Sequence, residues 1–386
     1  MAGASGTEST VARRSRLRWE ALRPTPRVRR QILRALVATV LFVSLCAALA
    51  ASFGAGILVY VLTGFAVASI VIVAAMGLTL VYGIRGFANF AYGDLITLGA
   101  YSALIVNVLG GLALVWGAIA SFIALAFVGI FLEVLIFSRL EGRGPVAPLV
   151  ASVGVGLIIQ NGIRAIATTR QWSFAVPGIQ DIPIVPGLGL HPTRHIATLS
   201  VGIAFVVSTH VLLKYTNLGK SMRATADNLE LAKATGINTK QVRYAAWAVS
   251  CSFASTAGVL LGLNAVISPT MGFEILLLIF AAVIVGGIGS PYGAMVGGLV
   301  VGLSQEMSVP LLDWLGRPSV LGLEHATAYK VAVPFLIMIA VLLVRPWGIA
   351  GRQPAFAPRV FFVEKLSRAL AREPSVQKVG VNGRGG

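Results

Sequence analysis

Long apolar runs separated by short polar breaks set the plan of this 386-residue chain. The runs fall at 35–54, 58–82, 95–108, 112–137, 146–167, 196–213, 244–263, 275–285, 294–307 and 329–344. A helix needs about 20 apolar residues to cross a bilayer. Backbone in lipid must satisfy its own hydrogen bonds, which makes the helix the default spanning element. The pattern therefore predicts an all-α, polytopic membrane bundle of about 8–10 transmembrane helices. The motif GGIGSPYG at 286–293 interrupts the pattern and predicts a tight break between two half-length helices.

The polar breaks carry the organisation. Residues 1–34 form a basic tail, 35–57 an additional N-terminal span, 58–352 the main transmembrane domain, and 353–386 a second basic tail. A cleaved signal is the alternative reading of the run at 35–54. Within the domain the breaks are GIRGFANFAYGD at 83–94, SRLEGRGP at 138–145, a Pro- and Gly-rich loop at 168–195, and the long polar stretch 215–243. That last stretch holds Lys220, Arg223, Asp227, Glu230, Lys233, Lys240 and Arg243, and Gly236 marks the end of a short helix within it. At the C-terminus, Phe362, Leu366 and Leu370 share i,i+4 spacing, the pattern of a helix lying on a membrane face.

Composition agrees with this plan: 56% of residues are hydrophobic and 12% charged, against about 25% charged in soluble domains. The net charge of +17 is not one patch. Nine of the 31 basic residues precede residue 35, two lie in SRLEGRGP, six between Lys214 and Arg243, and eight from Arg345 onward. Strict alternation of spans puts all four of these segments on one side. The positive-inside rule independently makes that side the cytoplasm. The basic residues are not interleaved with aromatic ones, so nucleic acid is not an expected partner.

The chemistry-bearing motifs are mostly absent. Cys46 and Cys251 lie in apolar runs and form no CxxC, and His191, His195, His210 and His325 form no HExxH, so no metal or other cofactor is expected. Leu218-Gly219-Lys220-Ser221 resembles the end of a phosphate-binding loop, but Lys214 stands where its first glycine belongs. GGIGSPYG fails GxGxxG at Tyr292. The spacings Gly293-xxx-Gly297 and Gly298-xxx-Gly302 suit close helix contact. No catalytic constellation is present, and the chain does not read as an enzyme. Three polar features remain inside the apolar pattern. Asp94 is expected to cap a helix starting at Leu95, Glu133 to pair with Arg139, and Gln160-Asn161 to hydrogen-bond a neighbouring helix or line a path.

Several segments, in order, resemble the permease subunits of branched-chain amino acid ABC importers, the LivH-like branch. They are VYGIRGFANFAYGDLITLGAY, SVGVGLIIQN, LGKSMRATADNLELAKATGINTKQV, FAAVIVGGIGSPYGAMVGGLVVGLSQ and PWGIAGR, together covering about 59–352. Tyr92 and Asp94 stand where the family usually has His and Glu. The segment before residue 58 looks like an addition to its usual core.

The resemblance implies a multi-pass subunit of a bacterial cytoplasmic membrane. It also implies two separate ATPase subunits, a second permease subunit and an extracytoplasmic substrate-binding protein. On that reading Asp227, Asn228, Leu229, Glu230, Leu231, Ala232 and Gly236 form the element that couples to an ATPase subunit. Asn89, Tyr92, Gly93, Asp94, Gln160, Asn161 and Gly287 are the candidates for the substrate path. The cargo is a branched-chain amino acid or a related small polar solute such as another amino acid, urea or a short amide. A stand-alone secondary transporter or channel is the alternative, and uptake following an ion gradient without ATPase partners distinguishes it.

Overall fold

The computed structural model describes residues 57–176, 182–185, 188–190, 192–316 and 326–350. The two basic tails, the run at 35–54 and the C-terminal amphipathic stretch lie outside the described residues. The apolar run after them becomes α1, Ile57–Arg85. Residues 86–91 then break the chain, and α2, Tyr92–Leu104, runs on into a π-turn at Ile105–Leu109. Two long helices follow: α3 at Leu114–Leu135, extended by a 3-10 turn at Phe137–Leu140, and α4 at Val146–Ala167. Helix α5 covers Thr198–Tyr215.

The polar stretch folds as two short helices, α6 at Asn217–Asp227 and α7 at Leu229–Ala234. The chain then returns through α8, Thr239–Asn264, and α9, Met271–Gly286. Helix α10, Pro291–Met307, continues into α11, Val309–Gly316, and α12 covers Ala332–Val344. Among the described residues eight helices are long and apolar enough to cross a membrane, and α9 is a shorter apolar helix. The fold is thus a polytopic helical bundle. The loop at 168–195 is not wholly irregular: Ile182–Val185 and Leu188–Leu190 pair antiparallel, with Ile182 opposite Leu190.

Helices α1 and α8 form the core. Helix α1 packs on α5, α8, α9 and α10, and α8 packs on α1, α2 and α3. In its most apolar stretch α8 is 72% buried, whereas the span Ala326–Val344 that contains α12 is 6% buried and lies at the periphery. The outer helices present Trp116, Phe127 and Phe131 on α3, Leu157 and Ile158 on α4, and Ile203 and Val207 on α5. An apolar surface of this kind would drive association in water, but it suits a hydrocarbon solvent.

Small residues bring the core helices together. A Cβ on Gly297 would fall on the Ala282 carbonyl oxygen of α9, and one on Gly302 would fall on the Ala68 backbone of α1. The two glycine spacings on α10 therefore serve two different helices: Gly293 and Gly297 meet α9, while Gly298 and Gly302 meet α1. Close approach of this sort replaces the hydrophobic driving force that lipid does not supply between helices.

Candidate functional site

Three features stand out. The first is at the basic end. Helix α6 starts from Thr216, whose hydroxyl accepts from the Gly219 N–H at 3.0 Å. The Gly219-Lys220-Ser221 triplet is thus helix rather than a phosphate loop. Asn228, in extended conformation, ends α6 and caps α7 by accepting from the Leu231 N–H at 2.9 Å. At the other end of α7, Gly236 takes φ +82, its N–H bonds the Lys233 carbonyl, and Ile237 bonds the Ala232 carbonyl. That pair of bonds is the Schellman stop, and it needs a residue with no Cβ penalty at positive φ. On α7 Ala232 is buried and Leu229 half-buried, while Glu230, Leu231 and Lys233 face outward and Asp227 is exposed beside them. Leu231 is 62% exposed, and the Glu230–Lys233 pair at 3.2 Å flanks it.

Beneath this hook lies a four-residue ion cluster. Glu133, fully buried near the end of α3, bonds Arg85 at the end of α1 through both carboxylate oxygens. Arg243, at the start of the second turn of α8, lies 3.4 Å from Glu133 and donates to Glu141 at 2.9 Å. Two arginines and two glutamates therefore neutralise each other where three spans end. Leu229 of α7 shares with Arg85, Glu141 and Arg243 a cleft of about 410 Å³. The expected partner of Glu133, Arg139, is instead exposed. Six residues along a helix is a turn and two-thirds, which points the two side chains away from each other. An aromatic stack, Phe87 on Phe137 on Trp247, closes the same end.

The second feature is the meeting of two helix starts inside the bundle. The break at 86–91 is held by Asn89, whose side-chain oxygen accepts from the Ala91 N–H at 3.1 Å, and by Ser152 of α4, which accepts from the Phe90 N–H at 3.0 Å. Tyr92 is fully buried and donates to the Ser250 carbonyl of α8 at 3.3 Å. A Cβ on Gly93 would lie 2.6 Å from the Gly272 carbonyl oxygen, so the first turns of α2 and α9 touch backbone to backbone. The Gly272 N–H, which has no partner in its own helix, donates to Thr97 of α2 at 3.0 Å.

Asp94 does not cap. Helix α2 begins at Tyr92, with Ala91 before it making no side-chain cap, and Asp94 sits inside the first turn. It is 5% exposed and packs against Gly156 of α4, and its Oδ1 has no hydrogen-bond partner. Gln160 is half-buried one turn above Gly156. Asn161 is exposed and donates to Leu157 of its own helix at 2.8 Å, not to a neighbouring one.

The third feature is Gly287. It lies at the basic end, at φ +110, buried against Gly348. Ile349 and Ala350 donate to the Val285 and Gly286 carbonyls at 2.8 and 2.9 Å. The segment after α12 thereby satisfies carbonyls at the end of α9 that have no partner in that helix.

Of the four neighbours at this break, Asp94 faces Gly156 of α4, with Gln160 one turn further along that helix, whereas Tyr92 turns to Ser250 of α8, Gly93 to Gly272 of α9 and Asn89 to the Ala91 N–H. Gly287 is far from that point. Sequence reasoning did not single out the arginines of the ion cluster as partners of Glu133, nor Arg164 and Glu274, described below. No group of His, Cys, Asp and Glu suited to a metal ion occurs among the described residues.

A bundle with, among the described residues, eight apolar helices long enough to span and a polar hook at its basic end defines a multi-pass membrane protein. Residues 60–342 match the family model described as the permease component of the branched-chain amino acid transport system, and the chain belongs to that family. It is 31% identical over 292 residues to the high-affinity branched-chain amino acid transport system permease protein LivH of Escherichia coli K12, covering 72% of this chain and 90% of that one. It is 30% identical to the permease protein BraD of Pseudomonas aeruginosa over 304 residues, 75% of this chain and 94% of the relative. A probable LivH of Methanocaldococcus jannaschii is 30% identical over 73% of this chain and 89% of its own length.

Proposed function

We propose that this permease is one membrane half of an ATP-driven importer that carries branched-chain amino acids or a related small polar solute into the cell. Two ATPase subunits, a second permease subunit and an extracytoplasmic binding protein complete it, and ATP is bound by the ATPase subunits alone. The observation that carries the reading is the α6–α7 hook. A short helix capped at both ends, with an exposed leucine between charges and its other face packed on the bundle, is shaped to enter a groove on another protein. The relatives named for branched-chain amino acid transport support the choice of cargo.

In this mechanism closure of the ATPase pair pushes on α7. The push passes through Leu229 to the cluster that ties the ends of α1, α3 and α8. Rigid-body rocking of these spans then exchanges outward for inward access. The cargo passes along the α4 side of the α2–α9 junction. The partial positive charge at both helix starts offers it a dipole without a fixed charge.

The test is the double variant Glu230→Arg/Leu231→Asp, which changes only exposed atoms and should leave the fold intact. Co-purification of the ATPase subunits and ATP-dependent uptake are both expected to fall at least tenfold, about 1.4 kcal/mol of lost docking energy. Retention of both at the wild-type level removes the docking assignment. Uptake by the wild-type chain without any ATPase subunit would favour a stand-alone transporter.

A further inference from the structure

At the end of the bundle away from the ion cluster, a cleft of about 460 Å³ opens between α4 and α9. Its walls are tied by a backbone bridge: Trp172 and Ile267 exchange both N–H···O bonds, at 3.0 and 2.8 Å. One wall carries Arg164, from the last turn of α4. The other carries Glu274, from the first turn of α9. No ion pair joins these two among the described residues, although both face the same cleft. Glu274 is oriented by Thr270, which donates to it at 2.9 Å. Ser268 and Gln171 add neutral polar groups. The other nearby cation is engaged elsewhere, since Arg170 stacks on the Trp172 ring at 4.7 Å.

We infer that this cleft is an entry station for an α-amino acid, with the carboxylate held by Arg164 and the ammonium by Glu274. This rests on the importer reading above. The charge pattern selects the ligand class. A lone anion would leave Glu274 uncompensated and a lone cation would leave Arg164 only the buried Asp94 as counter-charge, whereas a zwitterion gives each a direct partner in the cleft. A volume of this size is in the usual range for small-molecule sites.

A second observation points the same way. From Arg164 the α4 face descends by single turns to Gln160 and then Gly156, against which Asp94 lies, 5% exposed and with an unpartnered Oδ1. A polar column thus leads from the cleft to the α2–α9 junction. The cleft walls are mainly polar, so it reads the head of the amino acid and not its side chain. Leucine, isoleucine and valine should therefore depend on it equally.

The experiment uses the assembled transporter in proteoliposomes, with saturating loaded binding protein and ATP. Arg164→Gln and Glu274→Gln are each expected to lower the uptake rate about tenfold, the loss of one charge-assisted contact. The loss should be the same for all three amino acids, and the binding-protein concentration giving half-maximal rate should be unchanged. Both residues are exposed; Arg164→Gln also takes a positive charge away from the buried Asp94, so Glu274→Gln is the cleaner of the two, and the amount in the membrane is read in the same preparation. Where a neutral variant fails to accumulate, Arg164→Lys carries the test: it keeps the charge, loses the paired donors, and is expected to slow uptake several-fold.

Uptake at the wild-type rate in these variants overturns the proposal. So does a shift in the half-maximal binding-protein concentration, which would make the pair a docking contact, or a loss confined to one side chain. Failure of the wild-type complex to transport would instead overturn the importer reading.

Discussion

Glu133→Gln should destabilise the permease by about 3–5 kcal/mol, the cost of breaking a buried ion pair by removing one partner. The glutamate is fully buried, and its two arginines have side chains only 9% and 6% exposed. Glutamine keeps the shape but cannot neutralise them, and water barely reaches either arginine to replace the lost charge. Glu141 is the internal comparison. Its side chain is 40% exposed, so solvent screens its pairs with Arg85 and Arg243, and Glu141→Gln should cost well under half as much.

Thermal unfolding of the purified subunits in detergent reads the difference. The triple variant Arg85→Met/Glu133→Leu/Arg243→Met should recover much of the loss, because apolar groups of similar volume remove the desolvation cost along with the charges. A Glu133→Gln protein that unfolds with the wild type would mean that the cluster is hydrated. It would also remove the rigid link assumed between α7 and the three spans it sits under.

The helices were legible because each carries its own signal. A run of apolar residues is local, and so is the Gly236 stop of α7, which could be read without tertiary information; the Asn228 cap that divides the polar stretch into α6 and α7 is equally local but was not singled out. The start of α2 was less legible. Asp94 is a good capping residue in isolation, but Asn89 bonds Ala91 and closes the turn earlier, leaving Asp94 within the helix.

The ion cluster was not legible. Its members come from the ends of α1, α3 and α8 and from the loop after α3, and the nearest arginine in sequence, Arg139, is on the wrong side of its helix. Arg164 and Glu274 escaped for the same reason. Each is an ordinary charged residue near a helix end until the Trp172–Ile267 bridge brings their walls together. What sequence reveals here is periodicity and local stops; charges that act in pairs across the bundle need the fold.

The other large effect lies where α2 and α9 begin. Gly272→Ala adds one carbon atom, and its position coincides with the Gly93 carbonyl oxygen, with Thr97 close on the other side. Neither neighbour is a flexible chain end: one is backbone, and the other is the hydroxyl that accepts the Gly272 N–H. Overpacking a core usually costs about 1–3 kcal/mol. Here the helices must also separate, so the bond to Thr97 is lost and the N–H is left without a partner, adding about 1–3 kcal/mol.

Gly154→Ala and Gly162→Ala are the matched controls. Both lie within α4, a Cβ at either meets nothing within 4 Å in this chain, and alanine favours a helix by up to about 1 kcal/mol. Thermal unfolding and ATP-dependent uptake should both fall sharply for Gly272→Ala and hold for the controls. A loss of uptake confined to Gly154→Ala or Gly162→Ala would place another chain against α4. Full stability in Gly272→Ala would show that α9 can slide on α2, and the junction would then be a moving joint rather than a fixed point about which the spans rock.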